Sequence, residues 1–378
     1  MEICVMNPYF YPYKGGTEKV LFEVYRRLAK RHNITVLTSD FGSKSGTSEI
    51  EGIKVKRIRS RSIYIPGAPL PFQSFSGLGA EIRKADADIY HMNNRYQYFY
   101  PDVSAVPFGR KLAITIHNSL PKNIDAITDA AGLWYDILWG RKVMKRADII
   151  TGVSRNAIDT TVPNAFASKS YVVYNGVDYA VLKNRGRNSR RVSSIRRALG
   201  IDLDRVVVCN GRLVPQKGQR YLIDALSQFR HGSVGLLLIG SGPQGPELKN
   251  LAHRAGVPVA VVSGLDDIGL SYHYSAADVA VAPSLYEPAS MAALESMSCE
   301  LPVVASRIGG LPEMVGDCGI YAEPRNANQI RDGIESLFGS RADAKRRGRC
   351  GRSHVIRRHS WNSISKRYEE LFLNTIRY

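Results

Sequence analysis

The sequence predicts an α/β protein built as two Rossmann-like, doubly wound parallel-sheet domains facing across a cleft. Three observations predict it. Short β-rich runs alternate with amphipathic, helix-like segments along the whole chain. The runs are continuously apolar rather than alternating, as expected of strands covered on both faces. The series then restarts: near residue 205 the chain again reads strand, loop, helix, as it does near residue 2. The length agrees, since 378 residues exceed what one core ordinarily organises.

The first series runs EICVM, NITVLTS, IKVKRI, DIYHM, LAITIH, DIITGVS and YVVYNG. Between its first two members, Val20, Leu21, Val24 and Leu28 recur at helical spacing. The second series runs RVVVCNG, VGLLLIG, PVAVVSG, DVAVAPS, PVVAS and GIYAE. The polar, glycine-containing stretch after Gly176 marks the boundary. We therefore divide the chain into domains 1–180 and 181–358. Residues 359–378 form a last helix, with Ser360 as its N-cap, that packs back on the first domain.

Charge narrows the partners. Fifty-two Lys and Arg against 34 Asp and Glu leave +18, which calls for an anionic partner: nucleic acid, an acidic membrane surface or a phosphorylated substrate. Basic residues crowd 183–197 and 341–359, stretches that read equally well as solvated surface. Neither holds a Phe, Tyr or Trp on which a base could stack, so nucleic acid is not expected. The start, MEICVMNPYF, lacks a basic and then apolar leader, and no apolar run reaches membrane-spanning length. Cys4, Cys209, Cys299, Cys318 and Cys350 lack CxxC spacing. That favours a reducing, cytoplasmic setting and argues against a zinc site.

Open parallel sheets bind ligands at the carboxyl ends of their strands, so chemistry is expected in the loops that follow strands. After EICVM, Gly15 and Gly16 precede a helix and let backbone amides approach an anion or a sugar; an ordinary tight turn reads the same way. After RVVVCNG come Arg212 and Lys217, a fork and a mobile ammonium suited to a diphosphate, or two solvated cations. Gly240, Gly242 and Gly245 spell G-x-G-x-x-G, with Asp266 and Asp267 further on. Pro243 and Pro246 remove amides a pyrophosphate would use, and the motif follows the second strand of its domain, so a dinucleotide site is not the preferred reading. Asp86 and Asp88 form a DxD, but at the entry of a strand, the wrong end of a sheet for a metal site. In YEPASMAALESM, Glu287 and Glu295 stand eight apart across a helix start, with Pro288 compatible with its first turn and Ser290 able to cap it.

Taken together, GGTE, VVYNGVD, NGRLVPQKG, IGSGP, the long stretch from ADVAVAPSLYEP to GGLPEMV, and the late HSW resemble retaining glycosyltransferases of family 4, which have the GT-B fold. The resemblance keeps motif order over nearly the whole chain, and its most specific element is E-x7-E. It implies an acceptor-side first domain and a nucleotide-sugar-binding second domain. The donor is a UDP- or GDP-sugar, bound by Gly15, Gly16, Gly211, Arg212, Lys217, Glu287, Ser290, Met291, Ala292 and Glu295. Glu287 would take the sugar hydroxyls and Glu295 the ribose. Arg212 and Lys217 would neutralise the leaving diphosphate, and His117 would lie near the transferred sugar. No metal and no cofactor is expected, because the two cations stand where a divalent ion would.

Two departures from the family pattern stand out. Ala289-Ser290 replaces a frequent Phe-Gly, which bears on the sugar pocket, and Glu300 replaces a glycine, read as a surface change of little consequence. The implied reaction moves a hexose to a hydroxyl of a glycan or lipid-linked acceptor with retained configuration. Rivals are an epimerase-like enzyme of the same fold and a basic nucleic-acid-binding protein. The acceptor side is expected in 62–75, 93–111 and 132–146. The last combines Trp134, Ile137, Leu138 and Trp139 with Arg141, Lys142, Lys145 and Arg146. We read it first as a core-packed helix with a basic end and second as an interfacial helix on an anionic membrane, at the inner face.

Overall fold

The computed structural model describes residues 1–13, 15–64, 71–93, 103–118, 126–201, 203–229 and 233–377. The chain divides into two compact units, Met1–Asn175 with Trp361–Tyr378, and Gly176–Ser360.

The strands of the first unit are β1 (Glu2–Met6), β2 (Asn33–Ser39), β3 (Gly46–Ile50), β4 (Ile53–Ile58), β5 (Ser60–Ile63), β6 (Phe72–Phe75), β7 (Ile89–Asn93), β8 (Lys111–Ile116), β9 (Ile149–Gly152) and β10 (Ser170–Val172). Eight join one sheet in the order β10-β9-β8-β7-β1-β2-β4-β3. Every pairing is parallel except that of the edge strand β3 with β4. β5 and β6 form a separate antiparallel hairpin. Sequence reading finds the seven parallel strands and misses β3, whose residues GTSEI are almost wholly exposed and carry no apolar signal. The central strands are buried along their length, as continuous apolar runs require.

The helix Gly16–Leu28 buries Val20, Leu21, Val24 and Leu28, the stripe read from spacing. The helix Trp361–Arg377 completes this unit. It buries Trp361, Ile364, Tyr368, Leu371 and Phe372. Glu369 bonds Arg31 at 2.7 Å and His32 at 2.6 Å. Beneath it runs a buried polar chain. Tyr25 bonds His91 Nδ1, His91 Nε2 meets Thr115 Oγ1 at 2.6 Å, and Thr115 meets Thr151 at 2.6 Å and Tyr368 at 3.3 Å. Burial lowers the His91 pKa to about 3, so the ring is neutral.

In the second unit, β11 (Arg205–Asn210), β12 (Val234–Ile239), β13 (Val259–Val262), β14 (Val279–Ala282), β15 (Val303–Ser306) and β16 (Ile320–Ala322) make an all-parallel sheet in the order β13-β12-β11-β14-β15-β16. That is the doubly wound order, with the direction of winding reversing between β11 and β14. Leu222, Ile223, Leu248, Ile334 and Leu337 from covering helices meet Leu236 and Leu238 in its core.

Two readings are corrected. Cys318 and Cys350 form a disulfide with Cα atoms 5.5 Å apart. Folding apposes residues 32 apart in sequence, a separation no short cysteine motif reveals. Cys4, Cys209 and Cys299 are buried free thiols whose pKa desolvation pushes up to about 12. The segment 132–146 is not a core-packed helix with a basic end. It joins a helix Ala126–Tyr135, a π turn Asp136–Gly140 and a helix Arg141–Arg146. It buries Val143 and Met144, but Leu133 is 52% exposed, Trp134 61%, Ile137 53% and Leu138 43%. Leu133 and Trp134 are repeated four positions on by Ile137 and Leu138, so the outward patch is continuous. Arg141, Lys142 and Lys145 are exposed just beyond it.

Candidate active site

β11 and β14 adjoin at the centre of the second unit's sheet, and the chain leaves them toward opposite edges. The loops that follow them therefore diverge and frame a crevice. The loop after β11 carries Gly211, Arg212 and Lys217, and the loop after β14 carries Ser284 and Glu287. Leu285 N–H donates to the Gln216 carbonyl at 2.8 Å, holding the two loops together. Gly218 turns the chain at φ +65°, and a Cβ there would lie 2.1 Å from the Pro283 carbonyl oxygen. Only glycine satisfies both constraints. This docking brings Lys217 Nζ to 2.5 Å from Glu287 Oε2, which also accepts from Ser284 Oγ at 3.3 Å. Glu287 is 6% exposed. A buried carboxylate so paired is a fixed acceptor, and an ammonium on a flexible stem can change partners when an anion arrives. Arg212 extends into solvent from the same loop, while its carbonyl accepts from Gln219 Nε2 at 2.9 Å.

Ser290 is the N-cap of the helix Met291–Ser298, and its side chain accepts from Ala293 N–H at 3.2 Å. Pro288 precedes the helix instead of entering its first turn. Glu295, 5% exposed, accepts from Asn210 Nδ2 at 3.2 Å and Tyr274 Oη at 3.3 Å. Asn210 also donates to Tyr274 Oη at 2.7 Å. Burial, then the Glu295 charge, raises the Tyr274 phenol well above its ordinary value, so it stays a donor. Sequence reading missed Asn210 and Tyr274. Asn210 had a signal, as the last residue of a buried strand, but Tyr274 sits in a helix with none.

In the first unit, Gly15 stands at the N-cap of the helix Gly16–Leu28 with extended backbone and no capping side chain. A Cβ on Gly15 would lie 2.2 Å from Glu18 Oε2, whereas one on Gly16 would meet nothing within 4 Å. Glu18, also missed, is buried and accepts from Asn7 Nδ2 at 3.2 Å. Desolvation by burial outweighs the hydrogen bond from Asn7, and its pKa rises to about 7. His117 follows β8, is 8% exposed, and meets Asn93 Oδ1 through Nε2 at 2.9 Å. Burial lowers its pKa to about 4.

Other sequence features find structural uses. Cβ atoms on Gly240 and Gly242 would lie 2.1 Å and 2.4 Å from the carbonyl oxygens of Gly211 and Leu213, so this G-x-G serves loop packing. Asp266 caps the helix Asp267–Ser275 through Gly269 N–H. Asp86 pairs with Arg110 at 2.5 Å, and Asp88 accepts from Glu2 N–H at 2.8 Å. Of the expected acceptor segments, residues 65–70 and 94–102 lie outside the described residues.

Two family models match the chain. One, described as glycosyl transferases group 1, covers residues 204–340, and the other, Glycosyltransferase Family 4, covers residues 14–181. A Methanocaldococcus jannaschii sequence described as an uncharacterized glycosyltransferase is 31% identical over 210 residues, 54% of this chain. The chain spans about half of that relative, 53% of its length. An MMP alpha-(1->4)-mannosyltransferase of Mycolicibacterium hassiacum is 29% identical over 80% of this chain and 74% of its own. The alpha-maltose-1-phosphate synthase of Mycolicibacterium smegmatis is 28% identical over 84% of this chain and 92% of its own. Among solved structures, sucrose-phosphate synthase from Thermosynechococcus elongatus superposes with a TM-score of 0.76 at 22% identity, covering 98% of both chains. Anabaena HepE in complex with UDP and glucose gives the same TM-score, identity and coverage.

Proposed function

We propose a function from one premise: the chain belongs to the glycosyltransferases of family 4 and has their GT-B fold. It transfers a hexose from a nucleoside diphosphate sugar to an acceptor hydroxyl, with retention and without a metal ion. The observation that carries this reading is the pair of separately held carboxylates beside two cations at the switch point between β11 and β14. Glu287, with Ser284 and Lys217 around it, is assigned to sugar hydroxyls. Glu295, with Asn210 and Tyr274, is assigned to the ribose. On donor binding Lys217 turns from Glu287 to the diphosphate, joined by Arg212, and the two cations stabilise the charge of the leaving group. Ser290, Met291 and Ala292 offer helix-start amides to the same phosphates. In the first unit, Gly15 and Gly16 are assigned to the loop that admits phosphate and acceptor, and His117 to the transferred sugar.

Calorimetry tests the assignment. Glu295→Ala should weaken binding of free UDP or GDP. Glu287→Ala should spare the free nucleotide and weaken only the nucleotide sugar. Equal losses for both variants with the free nucleotide refute the roles. Turnover of a nucleotide-sugar panel should survive a chelator; strong dependence on added metal removes the metal-independent mechanism.

A second element of the proposal is a lipid-linked acceptor met at an anionic membrane surface. It is favoured by the exposed Leu133, Trp134, Ile137 and Leu138 beside Arg141, Lys142 and Lys145, and by the net charge of +18. Among the described residues no helix is long and apolar enough to cross a membrane, so attachment would be peripheral. Each basic residue near such a surface contributes about 1 kcal/mol. Sedimentation with anionic but not neutral vesicles, reversed by salt, is the expected result. Equal behaviour with both at low salt refutes it.

A further inference from the structure

We infer that Asn93 is a positioning residue for the transfer reaction: it holds His117 in the tautomer whose Nε2 carries the proton and leaves Nδ1 as an acceptor for a hydroxyl of the transferred sugar. The inference rests on the assignment of His117 to that sugar. β7 and β8 are parallel neighbours, with Asn93 opposite Thr115. Asn93 ends β7, and His117 lies just past the end of β8, so both residues sit at the carboxyl edge of the sheet.

The hydrogen bonds fix the proton. His117 Nε2 lies 2.9 Å from Asn93 Oδ1, an atom that can only accept. Asn93 is wholly buried, and its Nδ2 donates to the His91 carbonyl at 3.4 Å, a long bond that still sets the amide's direction. Turned over, the amide would set its oxygen against that carbonyl and its NH2 against the ring. With Oδ1 facing the ring, Nε2 must be the protonated nitrogen.

Burial settles the rest. His117 is neutral at physiological pH, so Nδ1 holds a lone pair. Among the described residues, the titratable groups behind this edge include His91, itself neutral, and the phenols of Tyr25 and Tyr368, and Glu18 stands on the β1 side of the same edge. A neutral acceptor suits a sugar whose anomeric carbon gains positive charge in the transition state, where an imidazolium would oppose the reaction. A wrong tautomer would present N–H to the hydroxyl, and a rotated ring would miss it.

The test reads the ring directly and then its consequence. In protein labelled with 15N-histidine, the His117 signal, assigned by loss in His117→Gln, should show a protonated Nε2 and a bare Nδ1 at pH 7. In Asn93→Ala that signal should move to a mixture of tautomers. With UDP-glucose and GDP-mannose as donor probes, kcat should fall about 10–100-fold with little change in donor KM. Asn93→Asp keeps an acceptor oxygen, so it should restore the tautomer and much of kcat; its carboxylate, by raising the His117 pKa, should also move the acid limb of the kcat–pH profile to higher pH. This variant also guards against a folding failure of Asn93→Ala. An unchanged His117 spectrum and unchanged kcat in Asn93→Ala, with His117→Gln inactive, overturns the positioning role alone. Full turnover in His117→Gln overturns it together with the assignment of His117.

Discussion

The two carboxyl edges hold their polar groups by opposite means. At the β11–β14 switch point charge is met with charge: Lys217 lies on Glu287, and Arg212 stands nearby in solvent. At the edge formed by β1, β7 and β8 burial disfavours charge: Glu18 is raised to about 7, His117 lowered to about 4, and their partners are the amides of Asn7 and Asn93. A site that exchanges an internal counter-ion for a ligand anion loses little on binding, since the desolvation cost is already met. Amide and imidazole groups of this kind offer hydroxyls both donors and acceptors. The contrast divides the labour of the proposed reaction, leaving group in one unit and uncharged sugar chemistry in the other.

The largest expected effect would break this contrast most directly. Lys217→Ala should lower kcat about 10²–10³-fold with the fold intact, since an ammonium facing developing charge is worth several kcal/mol. A circular dichroism melt checks folding. A loss of kcat of under threefold would mean that the paired charges serve structure alone. Next comes the covalent tie, which belongs to the second unit. By the entropy of a loop of 32 residues, reducing Cys318–Cys350 should cost that unit roughly 3–4 kcal/mol. Calorimetry with and without reductant should lower the transition of the second unit only, and a Cys318→Ser, Cys350→Ser double variant should be insensitive.

A third measurement sharpens the neutral side. Because the Glu18 pKa is raised from 4.5 to about 7, its favourable contribution is complete below about pH 4.5 and lost as pH rises through 7. Glu18→Gln should therefore leave stability near pH 4.5 little changed and raise it at pH 8, by up to roughly 3 kcal/mol. For His91 and His117 the sign reverses. Their lowered values support the fold above about pH 6.5, and that support is lost as pH falls toward 4 and then 3. Urea titrations across pH check both limbs; a flat profile for Glu18→Gln against wild type would refute the neutral-acid reading.

The smallest effect concerns Glu300. It is not the indifferent surface change expected from sequence. After the helix Met291–Ser298, Glu300 N–H bonds the Met297 carbonyl and Leu301 N–H bonds that of Ser296, a Schellman ending. Glu300 occupies its left-handed position at φ +61°. Glu300→Gly should stabilise by about 1 kcal/mol, read as a rise in melting temperature, with only a weak 3.8 Å contact to Arg352 lost.

What the sequence disclosed follows from which forces are local. Buried parallel strands are continuous apolar runs, so every parallel strand was visible; β3 and the β5–β6 hairpin lie outside such burial and were not. Glu287 and Glu295 were visible because one short segment holds both. The meeting of Lys217 with Glu287 crosses 70 positions and depends on strand order and on Gly218, so spacing could not announce it. Asn210, Tyr274, Glu18 and Asn93 escaped for the same reason, since their partners come from other elements. The outward turn of Leu133 and Trp134 stood only as the second reading because apolar periodicity locates a face without saying what covers it.

The helix Trp361–Arg377 belongs with Met1–Asn175, and this has a consequence in time. Synthesis releases the first sheet early, yet the helix that supplies Tyr368 to its polar chain is made only after the whole of the second unit. The second unit has all of its residues by Ser360 and can close first. Until then the apolar surface awaiting Trp361, Leu371 and Phe372 stays open. The unit that is begun first is therefore completed after the other, and while the second unit is being made it is the one more in need of a chaperone.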